Sequence, residues 1–127
     1  LTRLLKPGAR ACVQSIVIDD ALFERYVQGT DFIQQYIFPG GCLPSPARFR
    51  AAAQQAGLRV VEELAFGADY AETLRRWHRK FTQEHAQVLA QGFDAKFLRT
   101  WEFYLAYCEA AFDSNNINVV QYTLVKD

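Results

Sequence analysis

The sequence predicts an α/β fold of three strands and several helices, with too few strands for a finished doubly wound sheet. Three observations carry that expectation. Short apolar runs rich in β-branched residues at Ala9–Ile18, Leu58–Ala65 and Ile117–Val125 read as strands. Apolar residues recur at helical spacing in two long stretches: Tyr70, Leu74, Trp77, Phe81 and Val88, then Phe97, Trp101, Tyr104, Cys108 and Phe112. Pro, Gly and cap residues fall between these runs, where elements must end.

Each element follows from its own residues. Leu1 to Lys6 reads as the end of a helix, stopped by Pro7 and Gly8, and a chain that opens inside an element points to sequence missing upstream. The run from Ala9 to Ile18 is nearly all apolar and fits a strand buried on both faces. Asp19 and Asp20 cap a short helix over 21–27, with their carboxylates at the positive end of its dipole. Thr30 caps a second short helix over 31–36. The Pro and Gly content of residues 37–45 forbids regular structure there. Ser45 followed by Pro46 opens a helix through Gln55 that Gly57 ends, and the second strand follows. Gly92 separates the two long helices, which form an antiparallel pair. Asp113 to Asn116 is a turn cluster before the last strand.

Composition narrows the function. The 127 residues suit one compact domain, and half of them are hydrophobic. Fourteen basic and fourteen acidic residues cancel, which removes the net positive charge of a nucleic-acid binder. No apolar run approaches the roughly 20 residues that cross a bilayer. Cys12, Cys42 and Cys108 are scattered, with no metal-ligand spacing; they fit a reducing, cytoplasmic compartment and are expected to be buried as small hydrophobes. His78 and His85 lie seven residues apart on one helix, with no acid–His–Ser arrangement, and read as surface or packing residues. Arg75, Arg76, His78, Arg79 and Lys80 form a basic cluster, either a solvated face or a surface for anionic lipid head groups. Phe38-Pro39-Gly40-Gly41 is either a structural crossover or a place where backbone packs closely against a ligand.

Tyr36-Ile37-Phe38-Pro39-Gly40-Gly41-Cys42-Leu43-Pro44-Ser45 resembles the YIFPGGxLPS loop of the cyclopropane-fatty-acyl-phospholipid synthases and mycolic acid cyclopropane synthases. Four further stretches agree in order and spacing. They are Leu5 to Gly8; Phe66 to Tyr70 with Thr73, Leu74 and Trp77; Tyr104 and Leu105 with Cys108, Glu109 and Phe112; and Gln121. The resemblance implies a Rossmann-like, seven-stranded fold of methyltransferases that use S-adenosylmethionine. Its first four strands and cofactor loop would lie upstream, and residues 1–127 would be the C-terminal part of that domain. The last strand would be antiparallel and sit between the other two, leaving the edge of the 9–18 strand bare and open to a dimer contact.

The implied activity is methylene transfer to a cis double bond in a phospholipid acyl chain, at the inner membrane surface, with bicarbonate as the base. By resemblance Tyr70 donates to the bicarbonate, Ile16 offers it a backbone group, and Gln14 stands where other members place a histidine. Gln keeps an amide donor but cannot titrate. Tyr36, Phe38, Gly40 and Gly41 would contact substrate. The aromatic faces of the long helices would either line the acyl tunnel or simply pack as core. Residues 1–127 alone are then expected to be inactive. Two alternatives stand: C-methylation without ring closure or on another substrate, and a stand-alone, non-catalytic lipid-binding module.

Overall fold

A computed structural model describes residues 1–127 throughout. A single 3-10 turn, Thr2–Leu4, precedes β1 (Arg10–Ile18), α1 (Asp20–Gln28), α2 (Phe32–Tyr36), α3 (Pro46–Gln55) and β2 (Leu58–Ala65). Then come α4 (Gly67–Gln83), α5 (His85–Ala90), α6 (Ala95–Asp113) and β3 (Ile117–Lys126). The strands form one sheet in the order β1-β3-β2, with β3 antiparallel to both neighbours. The expected neighbours and the antiparallel last strand are therefore present, and β1 is an edge strand.

Alternation along β3 builds two cores on opposite faces of the sheet. Val120, Tyr122 and Leu124 pack with Val17, Leu58 and Ala53 of α3. Val119 faces the other way, onto Ala71 and Leu74 of α4 and Leu105, Cys108 and Phe112 of α6. Leu74 and Phe112 are each only 2% exposed, and burying such a side chain stabilises by about 1.5–3 kcal/mol. α4 and α6 run antiparallel, because Arg75 meets Asp113 while Phe81 meets Phe97.

Several expectations change. The opening segment is one 3-10 turn rather than the end of a helix, closed by Leu5 in an extended conformation. β1 is not buried on both faces. Only Val17 and Ile18 are buried: Val17 packs in the α3-side cluster, the α4–α6 layer covers Ile16 in part, and Arg10, Cys12 and Gln14 lie outside it. Asp31, not Thr30, caps α2: its carboxylate accepts from Gln34 N at 2.8 Å while Gln34 Oε1 accepts from Asp31 N at 3.1 Å. Thr30 lies one residue too early for that reciprocal box. The first long helix breaks at Glu84, so His78 is on α4 and His85 on α5. Cys12 and Cys42 are exposed; only Cys108 is buried.

The basic cluster on α4 is largely neutralised. Arg75 contacts Glu72, Glu109 and Asp113, the last two on α6, which raises its pKa through those carboxylate hydrogen bonds. Arg76 pairs with Glu72 and Lys80 with Glu84. Four acidic partners thus absorb three of the cations, and a solvated, ion-paired face fits better than a lipid-attracting one.

Candidate functional site

Ile16 and Tyr70 pack on the α4–α6 side of the sheet, and Gln14 lies on the same face of β1. The ladder's ends fix its phase: Lys126 N donates to Ala9 O, and Asp19 N donates to Asn116 O. Odd-numbered residues of β1 therefore turn their backbone groups toward β3, and even-numbered ones turn theirs to the bare edge. Ile16 is on the even side, so its N–H is free of the ladder; its carbonyl accepts from Ser15 Oγ at 3.0 Å. Its side chain and that of Tyr70 pack against the same buried cluster. Gln14 lies two residues before Ile16 on the same face and pairs with Gln121 across the sheet. Gln121 Nε2 donates to Gln14 Oε1 at 3.1 Å, which leaves the Gln14 Nε2 uncommitted.

Tyr70 owes its position to the entry of α4. The N-cap, Phe66, supplies no side-chain acceptor. Asn118 of β3 does so instead: its Oδ1 accepts from Gly67 N at 2.8 Å and from Val119 N at 2.9 Å. One turn on, the Tyr70 ring lies edge-on to Phe112 at 5.1 Å and to Trp77 at 6.2 Å. Trp77, although on the helical stripe, is 52% exposed. The neighbouring α6 groups are held neutral by burial, which pushes the Tyr104 hydroxyl up to about 12 and the Cys108 thiol up to about 11.

The loop after α2 is tied down rather than loose. Gly40 takes φ +77, which a side chain resists, and so allows Gly41 N to reach Phe38 O at 2.9 Å. A Cβ on Gly41 would lie 3.0 Å from that same oxygen. Gln34 Nε2 donates to Gly41 O at 3.0 Å, and Leu43 N to Tyr26 Oη at 2.9 Å. Phe38 reaches the α6 aromatic row through Tyr104, with ring centroids 6.4 Å apart. That row continues from Tyr104 to Trp101 and Phe97. Tyr36 is not drawn in; it is 68% exposed and leans on Phe32. Sequence reasoning missed Asn118 altogether, since an Asn opening a strand carries no local mark of a helix it caps 51 residues away.

A sheet in this order with helices on both faces matches the C-terminal part of the S-adenosylmethionine-dependent methyltransferase fold. Mycolic acid cyclopropane synthase CmaA1, complexed with SAH and CTAB, superposes with a TM-score of 0.86 at 26% identity. The match covers 98% of this chain and 46% of that one. The cyclopropane synthase MmaA2 from Mycobacterium tuberculosis has the same fold, with a TM-score of 0.86 at 21% identity over 98% of this chain and 47% of that one. The family model described as mycolic acid cyclopropane synthetase matches residues 1–122, and the chain belongs to that family.

Among curated relatives, the tuberculostearic acid methyltransferase UfaA1 of Mycobacterium tuberculosis is 42% identical over 100% of this chain and 30% of its own length. The cyclopropane-fatty-acyl-phospholipid synthase of Escherichia coli is 37% identical over 71% of this chain and 23% of its own length. The chain thus spans less than a third of either relative.

Proposed function

We propose that this chain is the lipid-facing part of an S-adenosylmethionine-dependent methyltransferase that converts a cis double bond of a phospholipid acyl chain to a cyclopropane. The observation that carries the reading is the set of uncommitted donors on one side of β1, beside the aromatic wall of α4 and α6. They are the Gln14 amide, the Ile16 N–H at the sheet edge and the Tyr70 hydroxyl. Such a set fits a small oxyanion such as bicarbonate. When bound, S-adenosylmethionine supplies the methyl group and bicarbonate the base for the proton that leaves it.

In this reading Tyr70, Gln14 and Ile16 orient the anion, and the half-buried aromatic rings keep water from a cationic acyl carbon. Phe38, held by Gly40 and Gly41, extends that apolar surface, and Tyr36 meets the lipid at its exposed rim. No helix is long and apolar enough to cross a membrane; the reading places the chain in the cytoplasm, in peripheral contact with the inner membrane surface. No residue of this chain is assigned to the cofactor, and residues 1–127 alone do not turn over.

Tyr70→Phe in the full-length enzyme tests this. Removing one preorganised donor lowers turnover by roughly 100-fold or more, while the retained ring keeps the contacts with Phe112 and Trp77. Unchanged turnover would remove Tyr70 from the mechanism. A second reading, methylation without ring closure, is favoured by the non-titrating Gln14 and by the UfaA1 likeness. Product mass spectrometry separates the two: ring closure adds one CH₂ and leaves no double bond, whereas the alternative retains one.

A further inference from the structure

Gln14 and Gln121 stand directly opposite each other in the register of β1 and β3. Odd-numbered residues of β1 exchange their backbone hydrogen bonds with β3, so this even-numbered position is a non-hydrogen-bonded pair. In such a pair the Cα atoms approach to about 4.5 Å and the side chains lie closest. Both side chains leave the sheet on the α4–α6 side, in line with Ile16 and Val119. Gln121 Nε2 donates to Gln14 Oε1 at 3.1 Å, and neither amide makes another hydrogen bond.

The two strands hold these residues unequally. β3 is paired on both sides and β1 on one. On β2 the residue opposite Gln121 is Leu64, which offers no polar group. Gln121 therefore stands on the firmer, central strand with Gln14 as its one side-chain partner. The Gln14 carboxamide has two ends of opposite character: Nε2 attracts an anion and Oε1 repels it. Half a turn about the last side-chain bond exchanges them, and that torsion is broad and roughly two-fold in its own preference. Donation from Gln121 to Oε1 removes the choice, because the turned amide would set donor against donor.

We infer that Gln121 is a positioning residue: it holds the Gln14 carboxamide with Nε2 free for a small oxyanion beside Ile16 and Tyr70. The inference rests on the oxyanion reading of this site and extends it to a residue of another strand that acts only through Gln14. A donor already oriented needs no reorganisation when the anion arrives, which is where the gain lies.

Bicarbonate is titrated into the full-length protein by calorimetry in degassed buffer, without S-adenosylmethionine or lipid. Gln121→Leu, which removes the donor and keeps most of the volume, is expected to weaken binding roughly fivefold. Thermal stability should not change, since the bond is exposed. Gln121→Lys keeps a donor for Oε1 and weakens binding less. Gln121→Glu accepts from Gln14 Nε2, turns Oε1 toward the anion and weakens binding most. Charge alone would rank these last two in the same order, so each variant is repeated on Gln14→Ala. There Gln121→Leu has no further effect, and the gap between the Lys and Glu variants narrows. Wild-type affinity in Gln121→Leu, an equal loss on the Gln14→Ala background, or an undiminished gap would overturn the inference and leave the oxyanion reading standing. No bicarbonate binding by the unaltered protein, or full binding by Gln14→Ala, would sink the anion role of Gln14 and this inference with it.

Discussion

The entry of α4 provides a sharp test of how the sheet sets the site. A Cβ built on Gly67 would lie 2.5 Å from Asn118 Oδ1, 3.1 Å from its Cγ and 3.3 Å from its Cα. By helix propensity alone, Gly67→Ala should stabilise α4 by up to about 1 kcal/mol. The structure predicts the opposite sign. Oδ1 must retreat by most of an ångström, which breaks its bond to the buried Gly67 N–H, and overpacking of this kind costs about 1–3 kcal/mol. Losing the acceptor adds about 1–3 kcal/mol for an unpaired buried donor. The net expectation is a destabilisation of about 2–4 kcal/mol.

Asn118→Ala loses only the second contribution, about 1–3 kcal/mol. The double variant has no Oδ1 to displace, so its loss falls well short of the sum of the two singles, a coupling of about 1 kcal/mol or more. Urea titrations of the four proteins measure this. A Gly67→Ala variant as stable as the wild type, or strictly additive losses, would refute the tertiary-cap argument. Because Tyr70 sits one turn from the cap, the same variants should also impair turnover in the full-length enzyme.

Three further outcomes are expected. In the native protein a disulfide reagent at pH 8 should label Cys12 and Cys42 but spare Cys108, whose buried thiol stays protonated until about pH 11; labelling of all three before denaturation would contradict the packing. Glu63 is held below the ordinary value of 4.5 by its hydrogen bonds to Arg50, so its contribution is present above that pH and is lost as pH falls through the depressed folded value. The pair is partly exposed, so Glu63→Gln should remove under about 1 kcal/mol at pH 7 and flatten the acid limb of the stability profile; an unchanged limb would count against it. Residues 1–127 should self-associate through the bare edge of β1, with Arg10→Pro or Cys12→Pro reducing the effect; a monomer by sedimentation, with rapidly exchanging β1 amides, would count against it.

Sequence by itself determined the local parts of this protein. Ser45 with Pro46 set the start of α3, Gly57 (φ +72) its end, and β-branched runs marked all three strands, because caps, turns and pleat are decided by residues a few positions apart. The motif likeness also singled out Gly67 and Tyr70. What it could not supply was the reason for Gly67, which lies in the close approach of Asn118 from β3.

Tertiary structure alone decided several other points. It set which β1 residues are buried, since that depends on how far the helix layers on the two faces extend over the sheet. It gave Arg75 two carboxylate partners, Glu109 and Asp113, that come from another helix. It left Gln14, Ile16 and Tyr70 on one side with their donors free, and it set Asp31 against Tyr107 across 76 residues. Contacts between distant segments form only when the sheet and its helix layers close, and no short window of sequence contains them.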